Sequence, residues 1–185
     1  MSEGRLFLLE MEGRQLISDI LEPAPDPMGM MKLYRPMKLS CRQYGKFRIT
    51  SEAATCFDVT TSKQAFLFGI EPVRLTYASP VEFHQLMGEE SGNGFLTSDH
   101  PYEIYSQYMA FRKMRGRVLV GRLGLGMVAN MIAKLSKVDS VTVVERESDI
   151  VHLVEGSLHR KVRVVESDLF EFLRDLGPDR KFDSA

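Results

Sequence analysis

Cysteine is scarce in this chain. Only Cys41 and Cys56 occur in 185 residues, separated by fourteen positions, with no His or Cys near either at metal-ligand spacing. That argues against a disulfide scaffold and a structural zinc site, so no metal is expected. Two isolated thiols suit a reducing cytosol, and both read as small buried apolar side chains. An excess of either charge is also missing: 24 Lys and Arg against 25 Asp and Glu leave a formal net charge of −1. The chain therefore lacks the basic stripe that a phosphate backbone demands, and nucleic acid is not expected as an electrostatic partner. Long apolar runs are absent too. Leu6–Leu9 is followed by Glu10 and Glu12, too short for a signal-peptide core, and nothing approaches the ~20 apolar residues of a membrane helix. A soluble, cytoplasmic protein without a membrane partner is expected. His84, His100, His152 and His159 are scattered, and each reads as a surface or capping residue rather than a general base. Glu89-Glu90 reads as a solvated loop.

What is present suffices for a core. The hydrophobic fraction is 44%, in a length that fits one domain or two small ones. Residues 1–94 read as a small region of mixed α+β fold. Apolar stretches at Leu6–Leu9, Phe47–Ile49, Ala65–Ile70 and Val73–Tyr77 alternate with turn formers at Pro23–Pro27, Gly69, Pro72, Gly88 and Gly92–Gly94. The pattern predicts short strands with one or two helices, one of them over Ser79–Met87. Met28–Met31 fits gap filling in a core better than a flexible binding surface.

Residues 95–185 read differently. A helix is expected from Ser98-Asp99, either of which can accept from first-turn amides, with Pro101 in the first helical position. Tyr102, Tyr105, Met109 and Lys113 follow at helical spacing. The helix should end before Gly116, where Arg112, Lys113 and Arg115 complement its negative end. Beyond it, three apolar runs predict strands: Arg117–Val120, Val141–Val144 and Val162–Val165. Each precedes a helical pattern, at Met127–Lys137, Ser148–Leu158 and Leu169–Leu176. Such alternation argues for a parallel sheet with right-handed crossovers.

The informative segment is Gly121-Arg122-Leu123-Gly124-Leu125-Gly126-Met127-Val128-Ala129. A glycine-rich turn between a buried strand and a helix lets backbone approach a ligand where a Cβ would collide, and the helix points free amides into the same space. Glu145 follows twenty-one residues after Gly124, at the end of the second strand. A carboxylate there can accept both ribose hydroxyls of an adenosyl group; the bland alternative is a solvated strand-end acid beside Arg146 and Glu147. Gly124–Ala129 also satisfies the dinucleotide pattern G-x-G-x-x-A, so spacing leaves NAD open.

The run from Gly116 to Glu145, with Val162–Asp168 and Phe182-Asp183, resembles class I S-adenosylmethionine-dependent methyltransferases. It is most similar to the branch shared with spermidine synthases, whose second strand ends V-x-V-V-E. The approach segment Phe95–Asp99, with Glu103, is similar to the stretch before the glycine motif in uncharacterised members of that group. The resemblance covers about ninety residues and none of the N-terminal region. It implies an α/β fold, an incomplete Rossmann-like three-layer parallel sheet over 95–185, preceded by the mixed region over 1–94. It implies S-adenosylmethionine as cofactor, bound at a turn that includes Gly121, Arg122, Gly124 and Gly126, with Gly124 and Gly126 passing its methionine part. Glu145 would hold the ribose. Asp168 would meet the adenine amino group, a role compatible with capping the helix from Leu169. Two positions depart from the family pattern. Arg122 stands where a glycine is usual, either to pair with the cofactor carboxylate or to obstruct the loop. Arg146 stands where an apolar cover for adenine is common, and its plane can stack instead.

Phe182-Asp183 looks like the opening of a fourth strand, after which this family places the residues that act on substrate. The catalytic region is therefore expected to lie beyond this chain, and neither catalytic residues nor methyl acceptor are assigned. The leading expectation is the cofactor half of a methyltransferase. A spermidine-synthase-like aminopropyltransferase, an NAD-linked oxidoreductase and a non-catalytic interaction module of the same fold are the alternatives. With only a stub of the fourth strand, one edge of Val118–Val120 should be open, inviting homo-oligomers.

Overall fold

The computed structural model describes residues 8–11, 14–17, 30, 32–35, 37–58, 74–89, 94–177 and 181–185. Ala65–Ile70 and Pro23–Pro27 lie outside them, as do Met28, Gly29 and Met31 of the methionine run. Met30, within it, is buried. The chain is a mixed α/β protein with two principal sheets. A short antiparallel hairpin, β1 (Leu8–Met11) and β2 (Arg14–Ile17), comes first. Strands β3 (Arg42–Tyr44), β4 (Phe47–Asp58), β5 (Arg74–Gly88) and β6 (Phe95–Ser98) then form a four-stranded antiparallel sheet in sequential order.

The helix expected over Ser79–Met87 is strand. Ser79-Pro80-Val81-Glu82 has the composition of a helix start, but this stretch is held by β4 on one side and β6 on the other. Long-range pairing overrides the local signal. Pro80 sits where the register slips between Ala54 and Cys56 of β4, a break that tolerates a residue without an N–H. Cys41 and Cys56 are both exposed, contrary to the buried reading. Cys56 lies on the strand β4 and Cys41 immediately before β3, where its thiol meets Ser51 Oγ at 3.2 Å.

Helix α1 (Pro101–Phe111) buries Ile104, Tyr105, Tyr108 and Phe111, one stripe at helical spacing, while Tyr102 is exposed. Its N-cap is His100, whose Nδ1 accepts from the Tyr102 N–H at 3.3 Å, so neither Ser98 nor Asp99 serves. Burial pushes the His100 imidazole below its ordinary pKa, which favours the neutral ring that this acceptor role needs.

The second sheet is parallel, with β7 (Gly116–Val120), β8 (Val138–Glu145) and β9 (Val162–Glu166) in the order β7-β8-β9. Helices α2 (Met127–Ala133), α3 (Ser148–Val154) and α4 (Leu169–Arg174) follow the strands in turn, and a 3-10 turn (Glu155–Ser157) extends α3. Val118, Val141 and Val143 are fully buried, as apolar runs without alternating polar residues require. The outer edge of β7 is not open throughout. Asp183 N–H donates to Arg117 O at 2.8 Å and Leu119 N–H to Ser184 O at 3.0 Å. Ser184 makes a parallel bridge to Val118. These bonds remove, at those positions, the unpaired edge on which self-association was expected.

The two sheets share a core. Phe47, Ile49, Phe83 and Leu86 belong to the same buried cluster as Ile104, Val118, Val141 and Leu153. β6, on the far side of the expected boundary at residue 94, pairs with β5 on the near side. Among the described residues no helix is long and apolar enough to cross a membrane.

Candidate functional site

The C-terminal ends of β7 and β8 lie side by side, with Val120 paired to Val143. That register carries Glu145 to the level of the turn leaving β7. Its side chain is only 4% exposed. Oε2 accepts from the Leu123 N–H at 2.9 Å, and Oε1 from the Glu147 N–H at 3.0 Å. One buried carboxylate thus pins the glycine turn to the end of the central strand. Hydrogen bonds to a charged acceptor of this kind contribute about 1.5–3 kcal/mol each. Each oxygen holds a single protein partner and retains acceptor capacity for another.

Two cavities open on this carboxylate. One, of about 340 Å³, is bordered by Thr97, Glu103, Gln107, Arg122, Gly124 and Glu145, over a lining that includes Ile104 and Leu125. The other, of about 360 Å³, is bordered by Gly121, Arg122, Glu145, Arg146, Asp168 and Phe170. Both are at the small end of the range for ligand pockets. Arg122 and Glu145 belong to both walls, so together the cavities offer an elongated site with one acid and one cation at its middle. Arg122 is exposed.

The structure therefore brings Gly121, Arg122, Glu145 and Asp168 around one space, and Gly124, Arg122 and Glu145 around the next. Asp168 caps α4, Oδ1 accepting from Phe170 N–H at 2.8 Å and Glu171 N–H at 3.2 Å. Gly124 has φ +53, and a Cβ there would point toward Thr97. Gly126 borders neither cavity. It caps α2 with φ +77, and a Cβ on it would lie 2.6 Å from Leu158 Cδ2 and 3.0 Å from Val154 Cγ1. This glycine serves close packing of the turn on α3. Gly126→Ala should destabilise the fold by about 2–4 kcal/mol, from a left-handed residue with a Cβ plus overpacking. Urea denaturation measures this; a loss under ~1 kcal/mol would mean that α3 yields easily.

Glu103 was legible only as part of the approach segment, yet it organises the first cavity. Its carboxylate accepts from Ser98 N–H at 2.8 Å, from Ser98 Oγ at 2.7 Å and from the Thr97 hydroxyl, tying β6 to the first turn of α1. An acid in the first turn after a Thr-Ser pair is the available signal. His84 departs further from the surface or capping reading. It is 3% exposed on β5, with Nδ1 3.0 Å from Oδ2 of the fully buried Asp99. Among the described residues, no three His, Cys, Asp or Glu side chains are placed to hold a metal ion. No protein-family model matches the chain, and no curated protein matches it.

Proposed function

We propose that the chain is the cofactor-binding half of an S-adenosylmethionine-dependent methyltransferase, and that its parallel sheet is the start of a Rossmann-like three-layer domain. One observation carries this reading: the buried Glu145 carboxylate, at the end of the central parallel strand, is bonded to the glycine turn and faces a cavity on either side. The strand order also supports it. β7 lies between β8 and the strand-like segment at Ser184, the arrangement in which ligands sit at the carboxyl ends of strands where the winding reverses.

The residues present fit an adenosyl ligand. The free acceptor capacity of Glu145 suits the two ribose hydroxyls, and no neutral side chain of its length accepts as many bonds. Asp168 keeps one carboxylate oxygen apart from its capping bonds, on the wall of the second cavity, where it would meet the adenine amino group. Arg146, exposed on the same wall, offers a planar cation to stack on the base. Gly124 and Arg122 border the first cavity, where the amino-acid end would lie, with the Arg122 guanidinium available to its carboxylate. When bound, the cofactor would supply a methyl group on a sulfonium for transfer to a nucleophile. The chain's own groups bind and orient it; the methyl acceptor and any catalytic base are left unassigned.

The glycine spacing alone would serve NAD equally, so the deciding experiment is calorimetry of the purified chain with S-adenosylmethionine, S-adenosylhomocysteine and NAD. Heat from the adenosyl amino acids and none from NAD is the expected result. Heat from NAD alone would replace a methyltransferase with a nucleotide-linked oxidoreductase, and silence with all three would leave a non-catalytic module.

A further inference from the structure

A third cavity, of about 350 Å³, lies between Arg35, Met37 and Lys38, the side of α2 that carries Met127 and Asn130, and the 3-10 turn after α3. Among the described residues its wall contains Arg35, Lys38 and Lys134, with Asn130 and Ser157 among its polar groups and no carboxylate. Met127 is the one lining residue it shares with the first cavity, and it shares none with the second. Three cations on the wall of one cavity, in a chain whose charges nearly cancel overall, are not explained by the adenosyl site.

The wall is built rather than incidental. Asn130 is 7% exposed; its Nδ2 donates to Ser157 O at 3.0 Å and its Oδ1 accepts from His159 N–H at 2.7 Å. Ser157 Oγ donates to Lys38 O at 2.9 Å. These bonds fix the backbone from which Lys38 projects against the turn. Neither Lys38 nor Lys134 forms an ion pair with a described residue. The surrounding field is positive as well. Partial burial, then the charge of Arg35, push the Lys134 ammonium below its ordinary pKa. Burial, then Lys161, Arg160 and Lys134, push His159 down, with no acid among the described residues offsetting them. Like charges held together this way repel, and an anion between them would relieve that repulsion.

We infer that this cavity binds a small oligophosphate anion, through Arg35, Lys38 and Lys134. Its volume is more than ten times water's share of about 30 Å³, enough for two or three linked phosphate groups. Lysine and arginine are the side chains that bind such groups, as point charge and planar fork respectively. A nucleic-acid strand is disfavoured because the chain as a whole carries a formal net charge of −1, without the overall basic excess that binding a phosphate backbone draws on. The inference stands apart from the adenosyl site, and neither depends on the other.

The test is equilibrium binding of tripolyphosphate and of a nucleoside triphosphate to the full chain, at low and moderate salt. Variants Lys38→Gln, Lys134→Gln, their combination, and Lys181→Gln as a remote control are compared, with thermal melts confirming that each folds. Tripolyphosphate binding that falls about tenfold or more per lysine, and is unchanged in the control, is expected from losing one charge-assisted bond. Tighter binding of the nucleoside triphosphate, with the same lysine dependence, would identify a nucleotide as the source of the phosphates. No binding of either probe, or binding indifferent to both lysines, would overturn the inference. So would lysine-dependent binding of a single-stranded oligonucleotide with neither probe competing.

Discussion

Glu145→Ala should weaken adenosyl-ligand binding by about 1.5–3 kcal/mol, which is at least tenfold in dissociation constant, because bonds to a charged acceptor are lost. The same change should also loosen the protein before any ligand arrives. The Leu123 and Glu147 N–H groups both donate to this carboxylate, and the first of those bonds is buried. Leaving a buried donor unsatisfied costs about 1–3 kcal/mol. Two measurements separate the effects: urea denaturation of the ligand-free chain, and calorimetry with S-adenosylhomocysteine at a temperature where the variant is folded. Glu145→Gln sharpens the comparison, since it retains one carbonyl oxygen for the turn but cannot accept from two hydroxyls as well. A variant that loses stability while binding as tightly as the parent would make Glu145 a fastener of the turn and nothing more. Loss of both is expected, because the free acceptor sites on its oxygens border the cavities that the bonds hold open.

How far the sequence anticipated this site follows from the kind of signal each residue leaves. Strands β7 and β8 hold apolar runs because a parallel strand covered on both faces has little polar side to show; β9, with no residue fully buried, keeps the same valine-rich run at the sheet edge, and the order of all three along the chain was plain. The glycine turn and Glu145 were visible through spacing alone. Gly126 is packed against Leu158 and Val154 and borders neither cavity, and sequence does not distinguish a glycine required by a ligand from one required by such packing. The four-stranded sheet was mostly illegible. The opening of β5 reads as a strand at Val73–Tyr77, but Ser79–Met87 reads locally as a helix, and only its pairing with β4 and β6 makes it strand. Asp99 looked like an N-cap because it stands two residues before α1; the side chain turns inward instead, and His100 caps. A buried polar pair between residues fifteen apart has no periodic signature.

That pair yields the largest expected loss of stability. Asp99 is completely buried and accepts three bonds: from His84 N–H at 2.6 Å, Met37 N–H at 3.1 Å and His84 Nδ1 at 3.0 Å. Its backbone is engaged too, the N–H donating to His84 O at 3.1 Å and the carbonyl accepting from Tyr34 Oη at 2.8 Å. One residue therefore fastens β5, the segment at Tyr34–Met37 and the entry to α1. Asp99→Ala strands several buried donors together, at about 1–3 kcal/mol each, so a loss of about 3–5 kcal/mol is expected. Against a typical domain stability of about 5–15 kcal/mol, that is roughly a fifth of the total or more. The urea midpoint should fall with its slope unchanged, the mark of lost stability without a change in the surface exposed. Asp99→Asn should fall between parent and alanine variant, because the amide keeps one acceptor oxygen while its NH₂ meets a donor. A double-mutant cycle with His84→Ala isolates the side-chain contact from the backbone bonds and should give a coupling of about 1–3 kcal/mol. If Asp99→Ala costs less than ~1 kcal/mol, water reaches these donors and the pair does not hold β5 to the entry of α1.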